Sequence, residues 1–249
     1  QMCIRDRQIE GLDYIKSNGA KGLRIGALTT LRSIELSPKI LKDYVVLSEA
    51  THKIASVQVK TMGTAVGNLC VATPASDIAA ALIALGAELK IASTTGERTI
   101  PIVNFFIGVG QTILEPSEIV TEVLLPGLPP RTSGAFLKLV RTAADIAKVN
   151  VAVTIRVARN KCEEAKIALG SVAPTVIRAI KAEKVLKGQK LDQEVIKAAA
   201  EAAAEETKPI TDLRSTAEYR RETTKVVVRR ALEKALERAK VSGEGGAIQ

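Results

Sequence analysis

Residues 58–77 read QVKTMGTAVGNLCVATPASD. The stretch has the period of neither a strand nor a long helix. Small residues crowd it: Gly63, Thr64, Ala65, Gly67, Ala72 and Ala75. Among them stand a few hydrogen-bonding groups, Thr61, Thr64, Asn68, Ser76 and Asp77. A backbone stripped of bulk, with its N–H groups free to point outward, suits a ligand with many acceptor oxygens. The stretch then passes through Pro74 and the Ser76-Asp77 pair into IAAALIALGA, residues 78–87, an apolar helix with a capped start. Helix N-termini favour anionic groups. The expected occupant is a phosphorylated cofactor.

The rest of the chain is consistent with a globular, aliphatic protein. Of its 249 residues 46% are apolar and 25% charged, which allows one large domain or two modest ones. Three Phe, three Tyr and no Trp leave Val, Ile, Leu and Ala to fill the core. No apolar run reaches the length of a membrane span. The first residues lack the apolar core of a signal peptide. Cys3, Cys70 and Cys162 lie far apart without a metal-ligand spacing, which points to a reduced, cytoplasmic setting. The net charge of +9 invites a nucleic-acid reading. Its spread among interleaved Glu, and the shortage of aromatic stacking platforms, argue against that. A basic face that docks an acidic protein or gathers anionic ligands is the better reading.

Taken in order, residues 1–7, QMCIRDR, have no periodicity and read as a non-native scar. Residues 23–27 are strand-like, and Thr29 and Thr30 can cap a helix over 31–36. Pro38 begins another helical stretch, and 44–54 a third. Residues 88–93 and 98–103 are extended around a turn at 94–97. Strict alternation over 118–125 puts Ile119, Thr121, Val123 and Leu125 on one side, and Val120, Glu122 and Leu124 on the other. PGLPPRTSG, residues 126–134, refuses both helix and ladder and marks a domain boundary. Beyond it, 135–141, 149–158 and 163–170 read as strands, and 176–186, 193–206 and 216–240 as helices. Strands followed by helices give an α+β unit with helices on one face of a small antiparallel sheet. The tail 239–249 is expected to be disordered.

Few residues offer chemistry. The run from Gly108 to Ile113 begins like a dinucleotide fingerprint but lacks its third glycine and its strand–turn–helix setting. His52 is the only histidine and reads as a surface residue. No catalytic constellation stands out. Two readings stay open for Asp77: an N-cap alone, or an acceptor for a ribityl or ribose hydroxyl. Asn68 has the same ambiguity, since Gly-Asn is common turn chemistry. Lys138, mid-strand, is on a solvated face or supplies positive charge beside a flavin or diphosphate. Arg141, Asp145 and Lys148 read as internal ion pairing at the domain junction. Arg214, Tyr219, Arg220 and Arg221 form a partner surface or a solvated helix start.

The segment from VQVKTMGTAVGNLCVATPASD to ERTIPIVNFF resembles the second flavin-binding segment of the FAD-binding (medium) subunit of molybdenum hydroxylases, the carbon monoxide dehydrogenase and xanthine dehydrogenase types. The resemblance continues through TILEPSEIVTEVLLP, FLKLVRTAADIAKVNVAVTIRV, IALGSVAPTVIRA and PITDLRSTAEYRRETTKVVVRRAL, over roughly residues 8–238. It implies an α+β fold: an FAD-binding domain of the vanillyl-alcohol oxidase (PCMH) type over 8–128, then a C-terminal flavoprotein domain over 132–238. The family's TxGGN segment corresponds to Thr64-Ala65-Val66-Gly67-Asn68 and lies against the FAD diphosphate, flanked by Thr61 and Gly63. Val66 stands where the family has a glycine. Asp77 contacts the cofactor, Ile119 or Val120 packs near the flavin, and Lys138 lies in the cofactor region. The family's earlier glycine-rich segment has no counterpart here, which implies an N-terminally truncated product.

The function implied is electron relay, with FAD the only cofactor in this chain. Molybdopterin and [2Fe–2S] clusters belong to a large and a small partner subunit, assembled as a dimer of heterotrimers. Electrons leave for an external acceptor such as NAD, a quinone or oxygen. No nucleic acid and no membrane span enter. The alternative reading is a non-catalytic basic interaction protein with a degenerate cofactor loop.

Overall fold

The computed structural model describes residues 8–244. The expected scar at 1–7 and the last five residues of the expected tail lie outside them. Two antiparallel sheets organise the chain. The first is built from β1 (Ile15–Ser17), β2 (Gly22–Gly26), β3 (Glu88–Ser93), β4 (Gly96–Pro101) and β7 (Ile119–Pro126), in the order β1-β2-β7-β3-β4. A two-stranded ribbon of β5 (Phe106–Gly108) and β6 (Gln111–Thr112) hangs between β4 and β7. The second sheet contains β8 (Thr132–Leu139), β9 (Val149–Ala158), β10 (Lys161–Gly170) and β11 (Ile177–Arg178), in the order β11-β10-β9-β8.

The helices between β2 and β3 are short and individually capped. In α1 (Leu31–Leu36) the Thr30 hydroxyl accepts from the Ser33 N–H at 3.0 Å. Pro38 opens α2 (Pro38–Asp43), where its missing N–H costs nothing. Next comes α3 (Val45–His52).

The stretch 58–77 is less irregular than its sequence suggests. It holds α4 (Val57–Met62) and α5 (Ala65–Cys70), capped by Ser56 and Thr64. Six residues are too few for a 3.6-residue period to register, so only the caps could reveal these helices.

The fold is centred on α6 (Asp77–Leu85), every residue of which is buried. A helix apolar all round is one enclosed on all sides. One side packs in the core of the first sheet with Leu23, Ile25, Leu89, Ile91 and Val123. The other meets Phe136, Ala152 and Ala168 of the second sheet. Its alanines let the strands approach closely. Gly86, at φ 71°, ends it, with the Ala87 N–H returning to Leu82 O at 2.9 Å in a Schellman closure.

The second sheet is therefore covered on both faces. Val149, Val151, Val153 and Ile155 of β9 pack with α7 (Ile180–Leu186), α8 (Gln193–Glu205) and α9 (Ala217–Glu244). The alternate residues Ala152 and Thr154 turn to α6. The expectation of helices on one face of this sheet is corrected to that extent: α3 and α6, from earlier in the chain, supply the other cover.

Other differences have local causes. Strict alternation in β7 fails because two of its residues oppose one between Lys90 and Ile91; this bulge brings Val120 into the core beside Val123. The expected helix from 176 starts only at Ile180, because Ile177 and Arg178 pair with the edge of β10. Helix α9 continues past Lys240 to Glu244, into the expected disordered tail; a lone Gly243 costs only about 1 kcal/mol in a helix and does not stop it. The linker gives up its last residues to β8, which starts at Thr132. Among the described residues no helix is long and apolar enough to cross a membrane.

Candidate functional site

The site lies where α5 and the start of α6 meet the second sheet. Thr64 caps α5, its hydroxyl accepting from the Gly67 N–H at 2.9 Å. Thr64 is also bridged to Thr30, and the Leu31 N–H donates to Gly63 O at 2.8 Å, so the start of α5 is fixed against α1. Ala65 and Val66 turn inward into the core with Leu69. The branched side chain of Val66 therefore packs inside the protein, away from the half-exposed edge formed by Gly63, Thr64, Gly67 and Asn68.

Asn68 connects α5 to α6. Its Oδ1 accepts from the Ser76 hydroxyl at 2.6 Å, while the Ser76 oxygen caps α6 by accepting from the Ala79 N–H at 3.0 Å. Among the described residues the Asn68 side-chain N–H₂ makes no hydrogen bond. The next residue, Asp77, is 6% exposed. Its Oδ2 accepts from Lys138 Nζ at 2.7 Å and its Oδ1 from Asn150 Nδ2 at 2.7 Å. Lys138 also donates to Lys53 O at 3.2 Å. Burial pushes the Asp77 carboxyl above its ordinary value, and the Lys138 ammonium and the two hydrogen bonds oppose that shift.

Several expected residues thus converge. Thr64, Gly67, Asn68, Asp77 and Lys138 lie along one hydrogen-bonded path from α5 to β8. Lys138 is on no solvated face; its side chain is 5% exposed. Thr61 stands apart, its hydroxyl bonded to Val57 O within its own helix. Val120 is buried in the core, in a strand on which α5 packs, whereas Ile119 is exposed at the start of β7. His52, largely exposed, meets Glu35 Oε1 at 3.0 Å, in an ion-pair group with Arg32 and the buried Lys60. Arg141 pairs with Asp145 at 2.9 Å, an exposed contact one helical turn apart in sequence, while Lys148 lies over the Tyr219 ring. Arg220 is buried, donating to Lys148 O, Ser171 O and Asp212.

Sequence reasoning misses Asn150. It sits fully buried on β9 and donates both to Asp77 and, at 3.3 Å, to Ala75 O. The signal is its place in VNVAV, residues 149–153: an amide in a run that is otherwise apolar. Glu49 is missed too. It accepts from the Phe136 N–H, Lys234 and Arg238, and so ties α3 to β8 and α9.

Residues 1–128 match the FAD binding domain in molybdopterin dehydrogenase, and residues 134–235 the CO dehydrogenase flavoprotein C-terminal domain. The chain belongs to the family of FAD-binding medium subunits of molybdenum hydroxylases. It is 35% identical to the glyceraldehyde dehydrogenase medium chain of Sulfolobus acidocaldarius, over 90% of this chain and 79% of that one. It is 35% identical to the carbon monoxide dehydrogenase medium chain of Hydrogenophaga pseudoflava, over 85% of this chain and 74% of that one. The solved structure of carbon monoxide dehydrogenase from Hydrogenophaga pseudoflava superposes with a TM-score of 0.90, covering 93% of this chain and 80% of that one at 35% identity.

The residues at the site fit the cofactor of this FAD-binding family. The donor set is right for diphosphate and hydroxyl groups: the N–H groups of Ala65 and Val66, the first two of α5, which have no partner inside their helix, and the unbonded Asn68 side-chain amide. Asp77 accepts two hydrogen bonds where a carboxylate offers about four acceptor positions. Lys138 donates two of its three. Each retains capacity for a ligand.

Proposed function

We propose that this chain holds FAD along the edge of α5 and the start of α6, and serves as the electron-relay subunit of a molybdenum-containing dehydrogenase. The observation that carries the reading is the convergence of Thr64, Gly67, Asn68, Asp77 and Lys138 on one path, in a chain of the FAD-binding family. When bound, FAD takes electrons from a partner's iron–sulfur clusters and passes them to an external acceptor.

This chain's own residues then bind and orient. The backbone N–H groups of Ala65 and Val66, at the start of α5 between Gly63 and Gly67, and the Asn68 side-chain amide hold the diphosphate. The Thr64 hydroxyl donates to a phosphate or hydroxyl oxygen, and the Asp77 carboxylate accepts from a ligand hydroxyl. Lys138 places positive charge at the same edge. Val120, buried on the strand against which α5 packs, is the apolar residue we assign beside the flavin, with Ile119 next to it at the exposed start of β7. No acid–base residue is required of the protein, which agrees with the absence of a catalytic constellation in the sequence.

The partners we infer are an iron–sulfur small subunit and a molybdopterin large subunit, arranged as a dimer of heterotrimers in the cytoplasm. The domain division we adopt is a cofactor domain over 8–128 and a second domain over 132–238. The relay is tested by anaerobic addition of the substrate to the assembled complex. The reading expects the flavin band to bleach and to return when an acceptor is added. Clusters that reduce while the flavin stays oxidised would remove the relay role.

A further inference from the structure

Strand β9 grips α6 at both ends. At the N-terminal end Asn150 donates to Asp77 Oδ1 and Ala75 O. At the other, the Thr154 hydroxyl donates to Ala84 O at 2.6 Å. The spacings are close: from Asn150 to Thr154 the strand rises about 13 Å, and from Asp77 to Ala84 the helix rises about 11 Å.

Asn150 is an unusual choice for such a position. Its side chain is fully buried and, among the described residues, its Oδ1 has no hydrogen-bond partner. Room for that oxygen exists because residue 170 is glycine: an added Cβ would lie 2.1 Å from it. The amide orientation is fixed, since only Nδ2 can donate to the Asp77 carboxylate. Leaving a buried acceptor unpaired costs on the order of 1–3 kcal/mol. Packing alone would be satisfied by an apolar residue, as at Val149, Val151 and Ala152.

We propose that Asn150 is a positioning residue of the cofactor site, which from the second domain fixes the rotation of the Asp77 carboxylate and, through the segment from Ala75 to Ser76, the Asn68 end of α5. Lys138 holds one carboxylate oxygen and Asn150 the other, so the remaining acceptor positions of Asp77 point in a set direction. Without Asn150, the carboxylate can turn both oxygens to Lys138, and a ligand hydroxyl loses its aligned acceptor. Burial disfavours the charge on Asp77, and the Asn150 N–H₂ helps to hold the anion. Lys138 is the charged group that faces Asp77 from β8. This inference rests on the FAD reading above.

The test is a titration of the full chain with FAD, followed by flavin fluorescence, for wild type, Asn150→Ala and Asn150→Asp. Circular dichroism confirms that each variant is folded at the pH used. Asn150→Ala is expected to weaken FAD binding about tenfold or more, the scale of a lost hydrogen bond to a charged group. Asn150→Asp is expected to bind near wild-type strength at about pH 5.5, where the new carboxyl keeps a proton and donates as the amide did, and about tenfold more weakly at about pH 8. At the higher pH its added negative charge should also lower the flavin reduction potential, which a merely structural residue would not do. Wild-type FAD binding, with affinity and potential unchanged in both variants, overturns the inference and leaves the FAD site standing. A wild-type chain that takes up no FAD overturns both.

Discussion

Lys138 Nζ lies 2.7 Å from Asp77 Oδ2, an ion pair with both side chains more than nine-tenths buried, joining the start of α6 to β8 of the second sheet. Two residues that the sequence marks separately for the cofactor are thus held by each other where α6 meets that sheet. Removing one partner of a buried pair strands a charge in a poor dielectric. Asp77→Ala and Lys138→Met are each expected to lower stability by about 3–5 kcal/mol in urea denaturation. The double variant should cost clearly less than the sum. Additive losses would show that the two side chains do not depend on one another.

The pH dependence of stability follows from the acidic groups whose protons are held less tightly in the fold. Glu118 is lowered to about 2, first by the two-pronged contact with Arg98 and then by the Glu115 N–H. Glu35, Glu49, Asp145 and Asp212 are lowered as well. A carboxyl whose folded value lies below its unfolded one contributes stability above the unfolded value, and that stability is lost as pH falls through the folded value. The denaturation midpoint should therefore drop as pH falls from about 4.5 toward 2, and Glu118→Gln should make the drop shallower. Asp77 works in the opposite sense: its raised carboxyl adds stability at low pH that fades as pH rises through its folded value.

The Ser76 oxygen does two things at once, capping α6 and donating to Asn68. Ser76→Ala should cost about 1–2 kcal/mol, the usual range for a lost N-cap. It should also weaken FAD retention, because the Asn68 end of α5 loses its support. A stability loss with unchanged FAD binding would separate the cap from the site.

Leu82 is fully buried at the centre of α6, between the two sheets. Leu82→Ala should destabilise by about 3–5 kcal/mol, the cost of lost transfer energy plus a cavity with rigid walls. Because α6 packs against both sheets, a single cooperative transition is expected. Two separated transitions in calorimetry would contradict that coupling.

Much of this fold is legible in the sequence because its signals are local. Thr30 before 31–36, Pro38 at a helix start and the alternation of β3 are read from a few neighbouring residues. The turn at Arg159 and Asn160, with φ of 51° and 61°, is likewise marked by its own residues. Two features are not legible for physical reasons. The helices α4 and α5 are too short to show a period. The contact between the sheets depends on residues 60 or more positions apart, such as Asp77 with Lys138 and Asn150, and one sequence gives no way to pair them. Only the small, alternating Asn150, Ala152 and Thr154 on β9 hint that a helix must approach that face closely.

The central claim is that the edge of α5 and α6 binds FAD. It is tested most directly by purifying the full-length subunit, recording its flavin absorbance, and repeating the measurement after incubation with FAD for wild type and Asp77→Ala. The account predicts one FAD per wild-type chain and lower retention in the variant. A wild-type protein that carries no flavin and takes up none would contradict it.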